Sequence, residues 1–262
     1  MTEWHASDYY RRSGLQKAMA DEELARLVLA GDERILDVGC GDGKITAEIA
    51  DRVPRGAVVG IDPSTEMIAF ASSHFGAPAR PNLSFEVGSA LQLHHRGEFD
   101  LVLSFNALHW VPRQDQALAS IGQALRPGGR ALLRMVCEGP RKSLEDVIED
   151  IRSGPRWAGF FRDFRKPYLH LGPDAYRSLA ESSGFRVLRL DVEDESWDFG
   201  SRDAFVAFAR ATFVEWTRRL PESEWLAFIG EVLDLYRTVA ADGPAEASTF
   251  KFYQMEIELG SP

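Results

Sequence analysis

In the first half of the chain the apolar residues gather in short, mainly apolar runs: 35–39 (ILDVG), 57–62 (AVVGID), 83–88 (LSFEVG), 99–105 (FDLVLSF) and 130–136 (RALLRMV). Runs of this length without polar alternation predict strands covered on both faces. The segments between them, 44–52, 64–74 and 115–125, predict helices. Strands that alternate with helices predict a parallel sheet, and right-handed crossovers make it a doubly wound α/β fold. Ser64 is placed to cap the second helix, with Met67 rather than an acid three positions on. In the stretch RPGG (126–129), Pro127 cannot continue the third helix and the glycines suit a C-terminal turn.

The second half changes character. Residues 143–171 read as helical and aromatic, with breaks at Gly154–Pro155 and Lys166–Pro167. A short helix follows within 173–185, ended by Gly184, and then a strand over 186–199 with acids at its far end. Two amphipathic helices are expected at about 202–219 and 223–240. The chain closes with TFKFYQMEIEL (249–259), whose apolar alternation predicts a last strand and slips near Tyr253, as a bulge would make it. Trp157, Phe160, Phe161 and Phe164 recur at helical spacing, with Tyr168 beyond them. They either pack a helix onto the sheet or wall an apolar pocket. Arg156, Arg162, Arg165 and Lys166 interleave with them, as a solvated face or as a receptor for an anion.

Composition narrows the partners. The 262 residues are 45% hydrophobic and 27% charged, which suits one large domain or a domain with a lid. The net charge of −10 carries no footprint for a phosphate backbone, so no nucleic-acid partner is expected. The densest acidic cluster, 191–196 (DVEDES), reads as solvated surface. Two cysteines, Cys40 and Cys137, make no disulfide framework and suggest a reducing compartment. Cys40 has no base beside it in sequence and reads as a small buried filler. The N-terminus lacks the apolar core of a secretion signal, and no run is long enough to span a membrane, so a cytoplasmic location is expected. The histidines His5, His74, His94, His95 and His170 show no metal-ligand spacing, and no metal is expected.

The chemistry gathers after the first strand. Gly39, Gly41 and Gly43 occupy alternate positions between a strand and a helix. A doubly wound sheet binds nucleotides at such a turn, where a ligand can lie on bare backbone beside free helix amides. The spacing departs from the dinucleotide fingerprint, because the third glycine comes one residue early and Asp37 precedes the first. A carboxylate there repels a pyrophosphate and attracts an ammonium group. The turn therefore suits a nucleoside that carries an amino acid. Asp62 ends the second strand, where a carboxylate can accept from ribose hydroxyls; the other reading is a cap for the helix after it.

These stretches resemble the class I S-adenosylmethionine-dependent methyltransferases: LDVGCGDG and GIDPSTEMI match their first two motifs, and FDLVLSFNALHWV and LRPGGRALL their fourth and fifth strand regions. The resemblance implies S-adenosyl-L-methionine as cofactor and a Rossmann-like, seven-stranded, mostly parallel sheet with an antiparallel last strand and a helical lid. It implies one methyltransferase domain over 1–262, with cap helices in 1–30, a cofactor-binding core in 31–137 and helical acceptor-pocket insertions in 138–172 and 201–245. It places Asp37 and Gly39 along the methionine part, Asp62 at the ribose and Met67 on the adenine, with Gly41 also among the cofactor-binding residues. Many members carry an acid after the third-strand glycine; here Ser89 stands there, so adenine recognition would rest on Ser89 and the adjoining Ala90. Asn106 would lie near the transferring methyl.

A closer resemblance covers nearly the whole chain. DYYRRSGLQKAMA (8–20), SFNALHWV and FKFYQMEIEL are similar to juvenile hormone acid methyltransferases, and LHWVP with the N-terminal W…Y pattern to trans-aconitate methyltransferases. Both groups esterify carboxylates. The resemblance implies that Gln16 and Trp110 hold the acceptor carboxylate. A carboxylate is already ionised at neutral pH and needs no base, only neutral donors that orient it. His109, beside Trp110, is either a general base or a structural histidine. The small-molecule acceptor is thus expected to be a carboxylic acid with an apolar tail. The alternatives are C-methylation of an isoprenyl diphosphate, in which His109 and the arginines would be central, and a cofactor-binding module without catalysis. A monomer or a homodimer is expected.

Overall fold

The computed structural model describes Met19 and residues 24–261. Seven strands form one sheet: β1 (Arg34–Val38), β2 (Ala57–Asp62), β3 (Leu83–Val87), β4 (Phe99–Phe105), β5 (Leu125–Cys137), β6 (Arg186–Asp198) and β7 (Thr249–Gly260), in the order β3-β2-β1-β4-β5-β7-β6. The first five pair in parallel, with Leu36 opposite Val59 on one side and Val102 on the other, and the last strands run antiparallel. The order reverses between β1 and β4, the point where an open α/β sheet parts its crossovers to opposite faces and leaves a crevice.

Helices α1 (Lys44–Arg52), α2 (Thr65–Phe75) and α3 (Gln114–Ala124) connect these strands within a residue of the positions expected from the apolar runs. Ile35, Leu101 and Leu103 are shut from solvent against Ala47, Ile49 and Ala50 of α1. Ser64 caps α2 by accepting from the Met67 amide at 3.2 Å. Strand β5 starts at Leu125, five residues before the apolar run, because the RPGG stretch extends it past a register shift opposite Phe99 and Leu101. In β7 all residues but Tyr253 and Glu258 are buried, so the break in alternation at Tyr253 falls in a strand covered on both faces.

The chain forms two compact units. The first contains residues 1–135, 173–192 and 255–262, and the second 136–172 and 193–254. In the second, α4 (Leu144–Ser153), α6 (Arg202–Thr212), α7 (Val214–Thr217) and α8 (Trp225–Ala240) are the helices, and α5 (Pro173–Ser182) belongs to the first. Helix α8 packs on α4 and α6. The single helix expected at 202–219 is divided at Phe213, whose backbone leaves the helical region and restarts a four-residue turn. Residues 157–164 are not the helix their spacing suggested. Gly154 and Pro155 end α4, and only Ala158–Phe161 turns again, as a 3-10 helix.

Candidate active site

The turn after β1 threads Gly39, Cys40, Gly41, Asp42 and Gly43 into α1, and its three glycines have φ of +81°, +53° and +81°. Left-handed backbone favours glycine at each, yet their surroundings differ. A Cβ on Gly39 would fall inside the Cβ of Ala107. One on Gly43 would lie 2.6 Å from the Ala71 Cβ and 2.8 Å from the Phe85 ring. One on Gly41 would meet none of the described residues within 4 Å. Two of the three glycines are therefore required by the protein's own close packing, and only Gly41 offers bare backbone to open space. The Gly39 and Cys40 amides both donate to the Ile61 carbonyl, at 2.8 and 2.9 Å, which pins the turn to the end of β2. Cys40 is buried; burial first, then the nearby acids Asp37, Asp62 and Asp42, push its thiol well above the usual range, so it is inert filler.

Two carboxylates flank the turn. Asp37, in β1, is buried at 3% exposure, and Thr46 of α1 donates to its Oδ2 at 2.6 Å. Burial pushes its carboxyl up to about 6; the Thr46 bond works against this and the charge of Asp62 with it. Among the described residues no cationic side chain pairs with Asp37. Asp62, at the end of β2, accepts from the Gly41 amide at 3.1 Å through Oδ2 and from the Ser64 amide at 2.9 Å through Oδ1. Burial raises its carboxyl too, while those two amides lower it. Each Asp62 oxygen keeps a second acceptor direction. Open space above one glycine, a buried acid with no cation on it among the described residues and a strand-end acid with spare acceptor capacity fit a nucleoside that bears an ammonium group. Asp62 also holds the Ser64 amide, so both of its readings from the sequence are compatible.

Met67, in the first turn of α2, is 3% exposed. Ser89 and Ala90 are half-buried just past β3, where the Ser89 hydroxyl accepts from the Leu91 amide at 3.2 Å. Past β4, Asn106 adopts φ of +57° and donates its amide to the Arg134 carbonyl at 2.8 Å. The left-handed residue turns the chain sharply into a 3-10 helix, Leu108–Trp110. There His109 is buried at 4% exposure, whereas Trp110 is half-buried, its ring centre 5.3 Å from the imidazole. Gln114 holds this short helix by donating to the Leu108 carbonyl at 3.1 Å. Gln16 lies outside the described residues. Thr46 and Gln114 are supports that the sequence reading missed; a hydroxyl in the first helical turn after the glycines was the available signal for Thr46.

The aromatic stretch, in the second unit, is engaged by its own helices rather than by the sheet. The Trp157 indole is 1% exposed, donates to Glu231 at 2.7 Å and meets the Phe228 ring edge-on at 5.1 Å. Phe161 contacts Phe164 and Phe228, and Phe164 contacts Trp216. Arg156 pairs with Glu224 and Glu231, and Lys166 with Asp146. Only Phe160 of the four spaced aromatics is exposed, at 41%.

Residues 35–129 match a family described as a methyltransferase domain. Over 254 residues the chain is 27% identical to a trans-aconitate 2-methyltransferase of Delftia acidovorans, covering 93% of this chain and 94% of that protein. Over 175 residues it is 30% identical to the juvenile hormone acid O-methyltransferase of Drosophila melanogaster, covering 63% of this chain and 58% of that protein. A solved structure of phosphoethanolamine N-methyltransferase 2 from Haemonchus contortus, in complex with S-adenosyl-L-methionine, superposes with a TM-score of 0.63 at 17% identity, over 98% of this chain and 56% of that one.

Proposed function

We propose that this chain, a class I S-adenosylmethionine-dependent methyltransferase acting on small molecules, methylates the carboxylate of an organic acid with an apolar tail. When bound, the cofactor supplies an electrophilic methyl group on a sulfonium. Asp37 balances its ammonium, the Gly39–Gly41 backbone accommodates the methionine part, and Asp62 accepts from the ribose hydroxyls. Met67, Ser89 and Ala90 receive the adenine, and Asn106 borders the position of the methyl group.

The observation that carries the acceptor class is the contrast inside one short helix: His109 is buried while its neighbour Trp110 is half-buried. A histidine withdrawn from solvent suits a structural role better than proton abstraction. A carboxylate requires no abstraction, because it is ionised at neutral pH. Its needs are orientation, close approach and exclusion of water. The indole N–H of Trp110 and the amide of Gln16 are neutral donors that orient an anion without neutralising it. The names of the Delftia and Drosophila relatives point to acids as well. Arg156 and Lys166 pair with acids of their own unit, which takes two of the four interleaved cations away from a tricarboxylate.

The test is incubation with methyl-labelled cofactor against aliphatic and isoprenoid acids, tricarboxylates, amines, phenols and prenyl diphosphates. The expected product is a monomethyl ester of an apolar acid, cleaved by mild alkali. Label that survives alkali, or that enters only amines, phenols or prenyl diphosphates, would overturn the reading.

A further inference from the structure

Strand β6 ends the sheet, with β7 on one side and no strand on the other among the described residues. It is 13 residues long, and most of it is exposed. A long, open edge is a template for another strand unless charge, proline or a bulge blunts it. Proline is absent from β6, and its charges are sorted rather than mixed. Side chains alternate between faces, so Arg186, Leu188, Leu190, Val192 and Asp194 share one face. Leu188 is 50% exposed and Val192 39% exposed. That face therefore reads cation, three apolar residues, anion.

Such an order complements itself when reversed. We propose that β6 is the contact surface for a second copy of this chain, paired antiparallel about a two-fold axis through Leu190. In this register Leu190 meets its own counterpart and Leu188 lies opposite Val192. Arg186 lies opposite Asp194, and on the other face Arg189 lies opposite Asp191. The exposed apolar residues cover each other, and each of these four charges faces its opposite. A shift of one residue would put Leu188 opposite Asp191 or Glu193 and lose all of these matches. The contact is isologous, so it closes at two copies. Arg189 already bonds Asp191 at 2.6 Å within its own strand and Glu256 of β7, and Asp194 accepts from Arg141 through both oxygens, at 3.2 and 2.5 Å. Carboxylates have acceptor capacity for a further partner in each case. Nine residues a side make a small interface, which places the assembly in the weak and transient class.

The experiment is sedimentation velocity on the whole chain from about 1 to about 100 µM, where a contact of this size associates. Wild type is expected to shift from monomer to dimer across that range. Arg186→Glu sets like charges opposite each other at both symmetric positions, and so does Asp194→Arg; each is expected to weaken association about tenfold or more. Mixed in equal amounts, the two variants restore attraction at both positions, and a mixed dimer of wild-type strength is expected. Leu188→Lys, at an exposed position, is expected to give monomer with an unchanged melting temperature. Wild type that stays monomeric throughout would overturn the proposal. So would single variants that dimerise as wild type does, or normally melting variants that fail to associate when mixed.

Discussion

The glycine turn at 39–43 and the aromatic stretch at 156–168 both look like ligand sites in sequence, and the structure treats them in opposite ways. In the turn, side chains are missing and the polar groups are oriented but not exhausted: Asp62 holds two backbone amides and Asp37 one hydroxyl. In the aromatic stretch, the polar group on each large ring finds a partner within the same unit, Trp157 on Glu231 and Tyr168 on Asp146 at 2.9 Å. Binding chemistry shows itself where satisfaction stops short, and packing shows itself where it is complete.

The sharpest way to break this contrast is Trp157→Ala. It should cost about 3–5 kcal/mol of stability in urea unfolding and leave cofactor affinity unchanged, because the ring is structural; an unaltered midpoint would refute that role. Asp62→Ala should weaken cofactor binding about 100-fold in calorimetry, since charge-assisted hydrogen bonds are lost in a buried site, and equal affinity would remove Asp62 from the ribose. The glycines separate next. Gly43→Ala should cost about 3 kcal/mol through overpacking and a left-handed alanine. Gly41→Ala, with open space around it, should cost only about 1–2 kcal/mol yet weaken cofactor binding about tenfold. Identical behaviour of the two variants would erase the distinction.

The smallest effect is in pH. With its carboxyl at about 6, Asp37 is increasingly protonated below that pH, so cofactor affinity should be about tenfold lower at pH 5 than at pH 7, and Asp37→Asn should flatten the profile. Stability moves the other way. The raised value means that burial disfavours the ionised form, so Asp37 costs stability above pH about 6, and that cost fades as pH falls towards the ordinary carboxylate range. A wild-type affinity profile as flat as that of the asparagine variant would take Asp37 out of cofactor binding.

Much of the parallel half was legible because its signals are local. Strands β2 and β4 coincide with their apolar runs, and Ser64 caps the helix it precedes. The breaks at its ends were legible, but the aromatic stretch between them was misread as a helix because spacing reports which residues could share a face and not whether the backbone winds through them; only Ala158–Phe161 does, as a 3-10 helix. The reasons for Gly39 and Gly43 were hidden for another cause: Ala107 and Phe85 lie far along the chain, and no window of sequence contains such a meeting.

Asp62 reaches Gly41 across the top of the sheet with the shortest acid available. A glutamate there would keep the charge, but its extra methylene would have to buckle, or push away the very amide it should hold. The brace thus fixes a length as well as a charge, and the crevice is set to its width before any guest arrives.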